Sequence, residues 1–497
     1  MNGEQAVSGY RFGPLQRRGV IAGWRGGQVA SVAISLLAAV MILRTFPHAF
    51  GLLLASVAVG GGAAFAGWPI GGMTGEQWAP IVFRWLRGGR QASISAQPEL
   101  GFTLPVRESS KGRTEPLRNV PPKLLAGVSI GETCLPGVGA IGVISDSRHG
   151  THCSVLAVAG EGFSLCEREE QADRIGLWSA LLAGLARDRS PVDRLQWICR
   201  SVPQSPAAYQ SNFESGCSLD RNHTAARSYE SLIADELAYS VRHETYLVLR
   251  LNERKAKGAS SLWSLARSGS ADRAQESAMF QLGEEVAELS RQLESSGIKV
   301  QGVLDGASIA QVVGESFLAD PDTGTRSSPW PMGISSDWSS VVTDSVSHAV
   351  YWIAEWPRVE VGPDFLAPIL LNPSARITVS TVMEPISALA AARKVENARV
   401  SRAADDELRR RGGFAVTARR NREGESLQSR ELELADGHAQ YRFSGYAAVS
   451  AEGPDELDRA CGALEQAASR CFLSLRRLYG DQQRALTWIL PLGEGLS

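Results

Sequence analysis

The segment from His149 to Cys153, His-Gly-Thr-His-Cys, is the one close cluster of metal-binding side chain types in the sequence. Zinc needs three or four histidine, cysteine or carboxylate ligands in tetrahedral reach, and His149, His152 and Cys153 could supply three at most. The same residues fit a β-turn with polar side chains and one inward-facing cysteine. We favour the turn, and we expect the chain to hold no metal and no cofactor.

Motifs for nucleotide hydrolysis and for nucleophilic catalysis are missing from the sequence. A phosphate-binding P-loop needs Gly-Lys-Ser/Thr, and none of the six lysines follows a glycine. No Gly-x-Ser-x-Gly elbow and no cysteine-protease signature is present. Cys461 and Cys471 fall on the apolar side of a predicted helix, where cysteine is usually a core residue. We therefore predict that the chain is not an enzyme.

A basic stretch at 393–422 could bind a nucleic-acid backbone or an acidic partner, because it holds ten basic and four acidic residues, a balance of +6. A solvated helical face is the alternative, since Phe414 is the only aromatic residue in the stretch. The residues that we single out as candidate contacts for a partner or for DNA are Arg409, Arg410, Arg411, Arg419, Arg420 and Arg422.

The whole chain is nearly neutral, which restricts its class. Its 497 residues carry 51 basic and 53 acidic side chains, a net charge of −2, and this excludes a generally basic nucleic-acid coat protein. The seven cysteines form no Cys-x-x-Cys motif and are odd in number, so they fit neither a secreted disulfide framework nor a zinc ribbon. We expect reduced thiols that face the cytoplasm.

Two uncharged apolar stretches near the N-terminus predict a membrane hairpin. Residues 26–43 would give a helix of about 27 Å and residues 49–70 one of about 33 Å, close to the bilayer's hydrocarbon thickness. The connection from Arg44 to Pro47 is short. A cleaved signal peptide is the alternative, but a second span follows at once and no convincing cleavage site precedes it.

The distribution of arginines predicts the orientation of this hairpin. Positive residues concentrate on the cytoplasmic side of membrane spans. Seven arginines flank the outer ends and only Arg44 lies between the spans; the seven are Arg11, Arg17, Arg18, Arg25, Arg84, Arg87 and Arg90. We therefore predict a multi-pass protein of the inner (plasma) membrane with both termini in the cytoplasm.

An amphipathic segment follows the second span. Trp78, Ile81, Val82, Trp85 and Leu86 recur at helical spacing next to arginines, which predicts a helix lying along the membrane surface. The polar residues from 88 to 120, with their Gly, Ser and Pro, read as a linker.

The remainder alternates between period-two and helical patterns without a long glycine fingerprint, which predicts an α+β region. Strands are predicted near 138–145, 151–159, 195–199, 245–251, 298–304, 348–356, 376–383 and 441–450, and helices near 167–187, 224–240, 279–293, 387–411 and 454–471. The predicted fold is a membrane hairpin of two transmembrane helices followed by a cytoplasmic α+β region of two packed modules. The predicted boundaries are a cytoplasmic N-terminal arm at 1–27, the hairpin at 28–72, the interfacial helix and linker at 73–120, and modules at 121–330 and 331–497.

Two stretches resemble known families. The run RFGPLQRRGVIAGWRGGQ, the two spans and GEQWAPIVFRWLRGGR together look like actinobacterial conjugal-transfer membrane proteins related to the PrgI and VirB type IV secretion components. The run from Tyr441 to Gly493, YRFSGYAAVSAEGPDELDRACGALEQAASRCFLSLRRLYGDQQRALTWILPLG, is similar to the part of VirB-four and TraC-like conjugation ATPases that leads into their motor domain.

The resemblance implies a two-span membrane subunit fused to the motor-less N-terminal region of such an ATPase. In the relatives the motor begins soon after the segment matching LPLGEGLS, where this sequence ends. Its implied partners are a separate VirB-four/TraC-like ATPase, other secretion-channel membrane subunits, the lipid bilayer and translocated DNA, within a multi-subunit complex. Positions 479–482, Tyr-Gly-Asp-Gln, are suggestive of a nearby partner surface.

The function expected from these observations is a non-catalytic inner-membrane scaffold of a type IV conjugative secretion system, which docks a separate translocation ATPase. An alternative is a membrane component of a type VII system, whose EccE-like subunits also join two spans to a cytoplasmic α/β part. A membrane-tethered hydrolase or thiol enzyme, using residues 149–153 or an isolated cysteine, is a third possibility.

Overall fold

A computed structural model of the chain describes residues 26–68, 73–88, 92–94, 121–135, 139–160, 162–203, 213, 223–237, 240–259, 271–318, 328–411 and 418–496. The predicted N-terminal arm falls almost wholly outside these residues, as does most of the predicted linker. The helices of the described part are α1 Gly26–Thr45, α2 Ala49–Gly67, α3 Gly75–Gly88, α4 Arg168–Leu185, α5 Thr224–Leu237, α6 Glu253–Ala259, α7 Ala271–Ser295, α8 Gly306–Glu315, α9 Ala367–Leu370, α10 Ala388–Arg411, α11 Ala418–Ala435, α12 Pro454–Arg470 and α13 Gln482–Leu486.

Within the described residues, thirteen strands form one continuous sheet in which neighbouring strands run antiparallel. Their order is β1-β8-β9-β10-β12-β11-β5-β6-β4-β3-β2, with β13 added to β10 and β7 added to β4. The strands are β1 Ala92–Ile94, β2 Val128–Leu135, β3 Gly139–Asp146, β4 Thr151–Gly160, β5 Val192–Pro203, β6 Val241–Asn252, β7 Ile298–Val303, β8 Gly333–Ser336, β9 Val341–Thr343, β10 Val346–Glu355, β11 Arg376–Ile386, β12 Gln440–Ala451 and β13 Ser474–Arg477.

The same topology occurs twice along the chain. The order β4-β6-β5 in the first half corresponds to β10-β12-β11 in the second. The outer edge of β4 is shared by β3 and β7, and the outer edge of β10 is shared in the same way by β9 and β13. A short helix follows each added strand, α8 after β7 and α13 after β13. The halves meet where β5 pairs with β11.

One face of the sheet is divided between two helical layers. Helices α4 and α7 cover the first half through Leu181, Leu282 and Leu289, which pack with Leu195 and Leu249 of the sheet. Helices α9 and α12 cover the second half, where the residues buried against the strands are Ile369, Leu457, Leu464, Ala468 and Cys471. The apolar stripes of α7 and α12 therefore face the sheet, as their spacing in the sequence predicts.

The opposite face has a single core that both halves share. It joins Val155 and Ile198 of the first half to Val350 and Tyr446 of the second. The pairing of β5 with β11 over residues 195–201 and 377–383 makes the sheet continuous across the predicted module boundary. The α+β region is thus sheet-rich and continuous, while its division into two packed modules stays a prediction.

Residues 482–496, called here the C-terminal segment, lie across this shared core. Gln196 of β5 is fully buried, and its Nε2 donates to the carbonyls of Trp488 at 3.1 Å and Leu490 at 3.0 Å. Its Oε1 accepts the N–H of Gly493 at 2.8 Å. Ser380 Oγ of β11 also donates to Trp488 O, at 2.8 Å. Because a buried backbone group without a partner is costly, these bonds permit an irregular segment to fill the core.

The elements with strong periodicity agree with the sequence analysis, and the weakly patterned ones differ. Strands β4 and β12 and helices α4 and α12 lie within a few residues of their predicted positions, while α7 ends close to its predicted end but begins eight residues before its predicted start. Helix α11 was not predicted because it is mostly polar and has no extended apolar stripe. Strand β1 falls inside the predicted linker, where Ala92 to Ile94 add to β8. A strand of three residues is too short for its alternation to be recognised.

We predict that Gln196→Leu weakens the shared core. The substitution keeps most of the volume but leaves the Gly493 N–H and the Leu490 carbonyl buried without these partners, which costs about 2–4 kcal/mol. Thermal unfolding of the detergent-solubilised chain should occur several degrees lower, and proteases should cleave the C-terminal segment sooner. The control is Gln311→Leu on the exposed face of α8. Equal unfolding temperatures for the two variants would contradict the prediction.

Candidate functional site: an apolar hairpin docked on the sheet

Helices α1 and α2 pack against each other and leave their other surfaces uncovered. Gly62 lies so close to Ser35 that a Cβ at this position would be 2.3 Å from the serine Cβ. Gln28 Nε2 donates to the carbonyl of Ala66 at 2.7 Å and closes the open end of the hairpin. Large apolar side chains, including Ile34, Leu37, Met41 and Leu52, remain exposed. Both helices are long and apolar enough to cross a membrane.

Helix α3 begins at a local capping signal. The Thr74 N–H donates to the side chain of Gln77 at 3.4 Å, and the Thr74 carbonyl accepts the N–H groups of Gln77 and Trp78. The bond from the Thr74 N–H to Gln77 is one half of the capping box that a Thr-x-x-Gln sequence predicts, while the Thr74 hydroxyl donates to Glu76 instead. Gly75, the first residue, lies against the ring of Phe65 in α2, so α3 starts in contact with the hairpin.

An aromatic cluster packs one face of α3 against the sheet and the segments joined to it, which are called the body from here on. The ring of Trp338, in the turn after β8, lies 5.9 Å from Trp78 and 5.2 Å from Trp85. Tyr479 stacks on Trp338 at 6.2 Å and lies 6.1 Å from Trp78. Ring pairs at these separations add to the stability gained by burial. Arg84 Nη1 donates to Asp481 Oδ1 at 2.8 Å beside the rings.

Gly480 permits this close approach. Its φ of +73° lies in the left-handed region, and a Cβ there would be 2.8 Å from the Trp338 ring and 2.9 Å from Ile81. Its N–H donates to the carbonyl of Trp338 at 2.8 Å. A larger residue would therefore be strained in its backbone and would push α3 away.

The predicted role of the α3 stripe needs correction. Trp78, Ile81 and Trp85 were expected to face a membrane surface, yet they face the turn at Trp338 and Gly480. The large apolar side chains left exposed on α3 are Phe83 and Leu86, at 63% and 68% of their full areas. Most of the predicted stripe thus packs on aromatic residues of the sheet-rich part of the chain. The spacing within α3 cannot reveal this contact, because the contacting residues are distant in sequence.

Positions 479–482 are engaged within the chain. Tyr479 and Asp481 contact α3, as described. Gln482 is fully buried; its Oε1 accepts the Val350 N–H at 2.8 Å and its Nε2 donates to the Val350 carbonyl at 3.1 Å. These residues therefore connect α3 to the core, and the nearby partner surface that the resemblance suggested stays a prediction.

The three metal-binding candidates of residues 149–153 do not converge. His152 contacts Ser145 through Nδ1 at 2.9 Å and Glu253 through Nε2 at 3.1 Å. The Cys153 thiol points to the Leu492 carbonyl, and burial raises its pKa to about 12, so it stays protonated at neutral pH. The favoured interpretation, a turn with an inward-facing cysteine, agrees with this geometry.

His149 instead meets two carboxylates, one of which sequence reasoning missed. Asp146, His149 and Glu494 offer ligand atoms within 4.8 Å of one another. His149 Nδ1 already lies 2.5 Å from Asp146 Oδ2, and Glu494 Oε2 accepts the Thr487 hydroxyl at 2.7 Å. Burial alone would raise the pKa of Asp146, but the bonds from His149 and from the Arg148 N–H lower it overall. Hydrogen bonds within the chain thus satisfy these groups.

Another histidine is sealed in the core. His348 on β10 contacts Thr343 Oγ1 at 2.7 Å and Ser450 Oγ at 2.8 Å. Burial lowers its pKa to about 3, with a smaller contribution from Arg376, so it is neutral across the physiological range. Its partners and its burial are those of a structural side chain.

The basic stretch forms most of a helical hairpin, made by α10 and α11. Arg399 pairs with Glu431 across the two helices at 3.3 Å, and Arg402 pairs with Asp406 at 3.5 Å. Near the end of α10, Glu407 pairs with both Arg410 and Arg411, at 2.7 and 2.9 Å. Arg409 ends up in α10, and Arg419, Arg420 and Arg422 lie in the first turns of α11. The structure therefore brings the six candidate arginines to the same end of one hairpin.

No protein-family model matches this chain, and no curated protein matches it. The resemblance to conjugal-transfer proteins consequently stays a prediction from the quoted residues.

We predict that Trp85→Ala loosens α3 from the body. The change removes the ring that packs edge-on against Trp338, a loss of about 2–3 kcal/mol at a half-buried site. Hydrogen–deuterium exchange of the α3 amides should become at least 10-fold faster. Phe83→Ala, on the exposed face of the same helix, is the matched control and should leave that exchange within 2-fold of the wild type. Similar exchange in both variants would show that the aromatic cluster does not hold α3.

Proposed function

We propose that the chain is a non-catalytic inner-membrane scaffold of a type IV conjugative secretion system, which docks a separate translocation ATPase at the membrane. The observation that carries this proposal is the fixed junction between two exposed apolar helices and a broad sheet. Trp78, Trp85 and Arg84 attach α3 to Trp338, Tyr479 and Asp481, so the body is held at a set position relative to the hairpin.

Several features of the body support a scaffold. The buried titratable groups described above are either neutral, as His348 and Cys153, or bonded within the chain, as Asp146. The given residues contain no Gly-Lys-Ser/Thr motif, and the proposal assigns the motor to a separate polypeptide. The resemblance implies that this polypeptide is a VirB-four/TraC-like ATPase. It also implies that other channel subunits lie beside the chain in the bilayer.

Both chain ends are placed in the cytoplasm by this proposal, and the short connection between the spans is placed outside. We predict that His48→Cys, which lies just before α2, becomes accessible to a membrane-impermeant maleimide in intact cells. The native Cys134, an exposed thiol of β2, should react only after the cells are permeabilised and serves as the internal control. Labelling of Cys134 in intact cells would contradict the predicted orientation and would place this part of the chain outside the cell.

ATPase docking is tested by purifying the tagged full chain in mild detergent from the cells that express it naturally. We expect a P-loop ATPase to be retained in a fixed ratio, and the chain stripped of that partner at high salt to hydrolyse no ATP. A two-span membrane protein with the same tag, purified in parallel, controls for adsorption. An intact, monodisperse chain that retains no ATPase, or that hydrolyses ATP alone, would disprove the proposal.

A further inference from the structure

Helix α3 begins against the ends of both apolar helices. Gly75 lies so close to the Phe65 ring of α2 that a Cβ at this position would clash with it. The Glu76 carboxylate lies against Gly27 in the first turn of α1 and leaves no room for a Cβ there. The first turn of α3 is therefore in contact with the open end of the hairpin, where α1 begins and α2 ends.

Exposed apolar residues continue the side of α3 that meets the hairpin. Successive helical residues are about 100° apart, so residues three or four positions apart lie on one side of the helix. Ala79, Phe83 and Leu86 follow Gly75 and Glu76 at this spacing, and these three residues are exposed. They are called the outer face here. From Glu76 to Leu86 this side of the helix extends over about 15 Å.

The outer face differs from the side of α3 that holds the body. By the same spacing, Trp78, Ile81 and Trp85 are centred about 130° around the helix from the outer face. They pack on Trp338 and Gly480, as described above. Packing on the body thus holds α3 in place independently of what covers the outer face, and the helix has two apolar sides with different surroundings.

We propose that the outer face of α3 inserts into the lipid leaflet at the open end of the hairpin, which is the cytoplasmic leaflet in the proposed orientation. The side of α3 that meets the ends of α1 and α2 faces the bilayer, because both helices continue from there into the lipid. Apolar side chains on that side reach about 5–10 Å into the boundary between headgroups and acyl chains. This inference rests on the membrane insertion in the proposed function, and not on ATPase docking.

The residues that border the outer face suit a lipid headgroup region. The Arg87 guanidinium lies 5.9 Å from the centre of the Phe83 ring. Arg87 is about 40° from Phe83 around the helix, at the boundary where a long basic side chain packs its stem on apolar surface and extends its charge to phosphates. Trp68, 71% exposed just after α2, lies at the same end of the hairpin, where interfacial tryptophans are expected.

The small size of the outer face favours lipid over a protein partner. Its three side chains offer roughly 300 Å² of apolar surface, whereas a stable protein interface takes about 800 Å² from each partner. Contact with lipid has no such minimum, because the two spans already hold α3 at the membrane. The outer face would thus add to an attachment that exists without it.

Depth-dependent fluorescence quenching tests the inference on the full chain in phospholipid nanodiscs. A small fluorescent amino acid replaces Leu86 on the outer face, Leu37 in the middle of α1, or Leu165, an exposed residue of the first half of the body. A nitroxide on the acyl chain, near the headgroup or near the chain end, quenches fluorophores at its own depth. We expect the shallow nitroxide to quench position 86 at least about 3-fold more than position 165, and the deep nitroxide to quench position 37 most strongly.

The position in the span separates this inference from the membrane insertion on which it rests. If position 37 is quenched by the deep nitroxide but position 86 is quenched no more than position 165, the inference is overturned while the spans stand. Because the nanodisc contains no other protein, that result would assign the outer face to a protein partner. If position 37 is not quenched, the spans and the inference fail together.

The variant Phe83→Glu should withdraw the outer face from the leaflet. Acyl chains disfavour a carboxylate and lipid phosphates repel it, so shallow quenching at position 86 should fall by at least about half. The matched control is Val359→Glu, which adds the same charge at an exposed site of the body and should leave that quenching unchanged. Both variants should unfold at the wild-type temperature, since both side chains are exposed. Equal quenching at position 86 in the two variants would overturn the inference.

Discussion

The packing of the C-terminal segment against the shared face of the sheet is the constraint on which the rest of the structure depends. At the centre of the sheet, β5 and β11 present Gln196 and Ser380, two polar side chains within an apolar core. They are tolerated there because the carbonyls and N–H groups of residues 488–493 accept and donate hydrogen bonds. The same bonds fasten the segment to both halves of the sheet, so the core is complete only when the segment is in place.

The apolar hairpin is attached, through α3, at the point where this segment begins. Tyr479 and Asp481 contact α3, and the next residue, Gln482, enters the core and bonds to the backbone of Val350. The chain thus passes from its contacts with α3 to the core within four residues, 479–482. A force or displacement acting on the hairpin would reach the central strands through this short and well-bonded connection. Such coupling agrees with the scaffold role proposed for the chain.

The turn at residues 146–149 and the end of α10 both hold charged side chains that find partners within the chain. Asp146 and His149 lie close together and satisfy each other, and Arg148 adds to the stabilisation of the carboxylate. At the end of α10, Glu407 pairs with both Arg410 and Arg411. Exposed pairs of this kind contribute little to the free energy of unfolding, but they neutralise charge locally.

Local patterns determined those parts of the molecule that depend on neighbours in sequence. Uncharged apolar runs predicted α1 and α2, and periodicity predicted α7, α12 and the long strands, because burial on one face imposes a spacing that can be read along the chain. The list of candidate arginines was likewise available from composition alone. None of these patterns depends on which distant residue lies opposite.

Contacts between distant residues were decided only by the tertiary structure. No pattern in the sequence indicates that Trp338 and Tyr479 will cover α3, that Glu494 will approach His149, or that α10 and α11 will pair through Arg399 and Glu431. The repeated topology could not be predicted from the sequence either, because two halves can have the same order of strands without having similar sequences. Each of these results depends on pairing across tens to hundreds of residues, and side-chain spacing within one element carries no record of such partners.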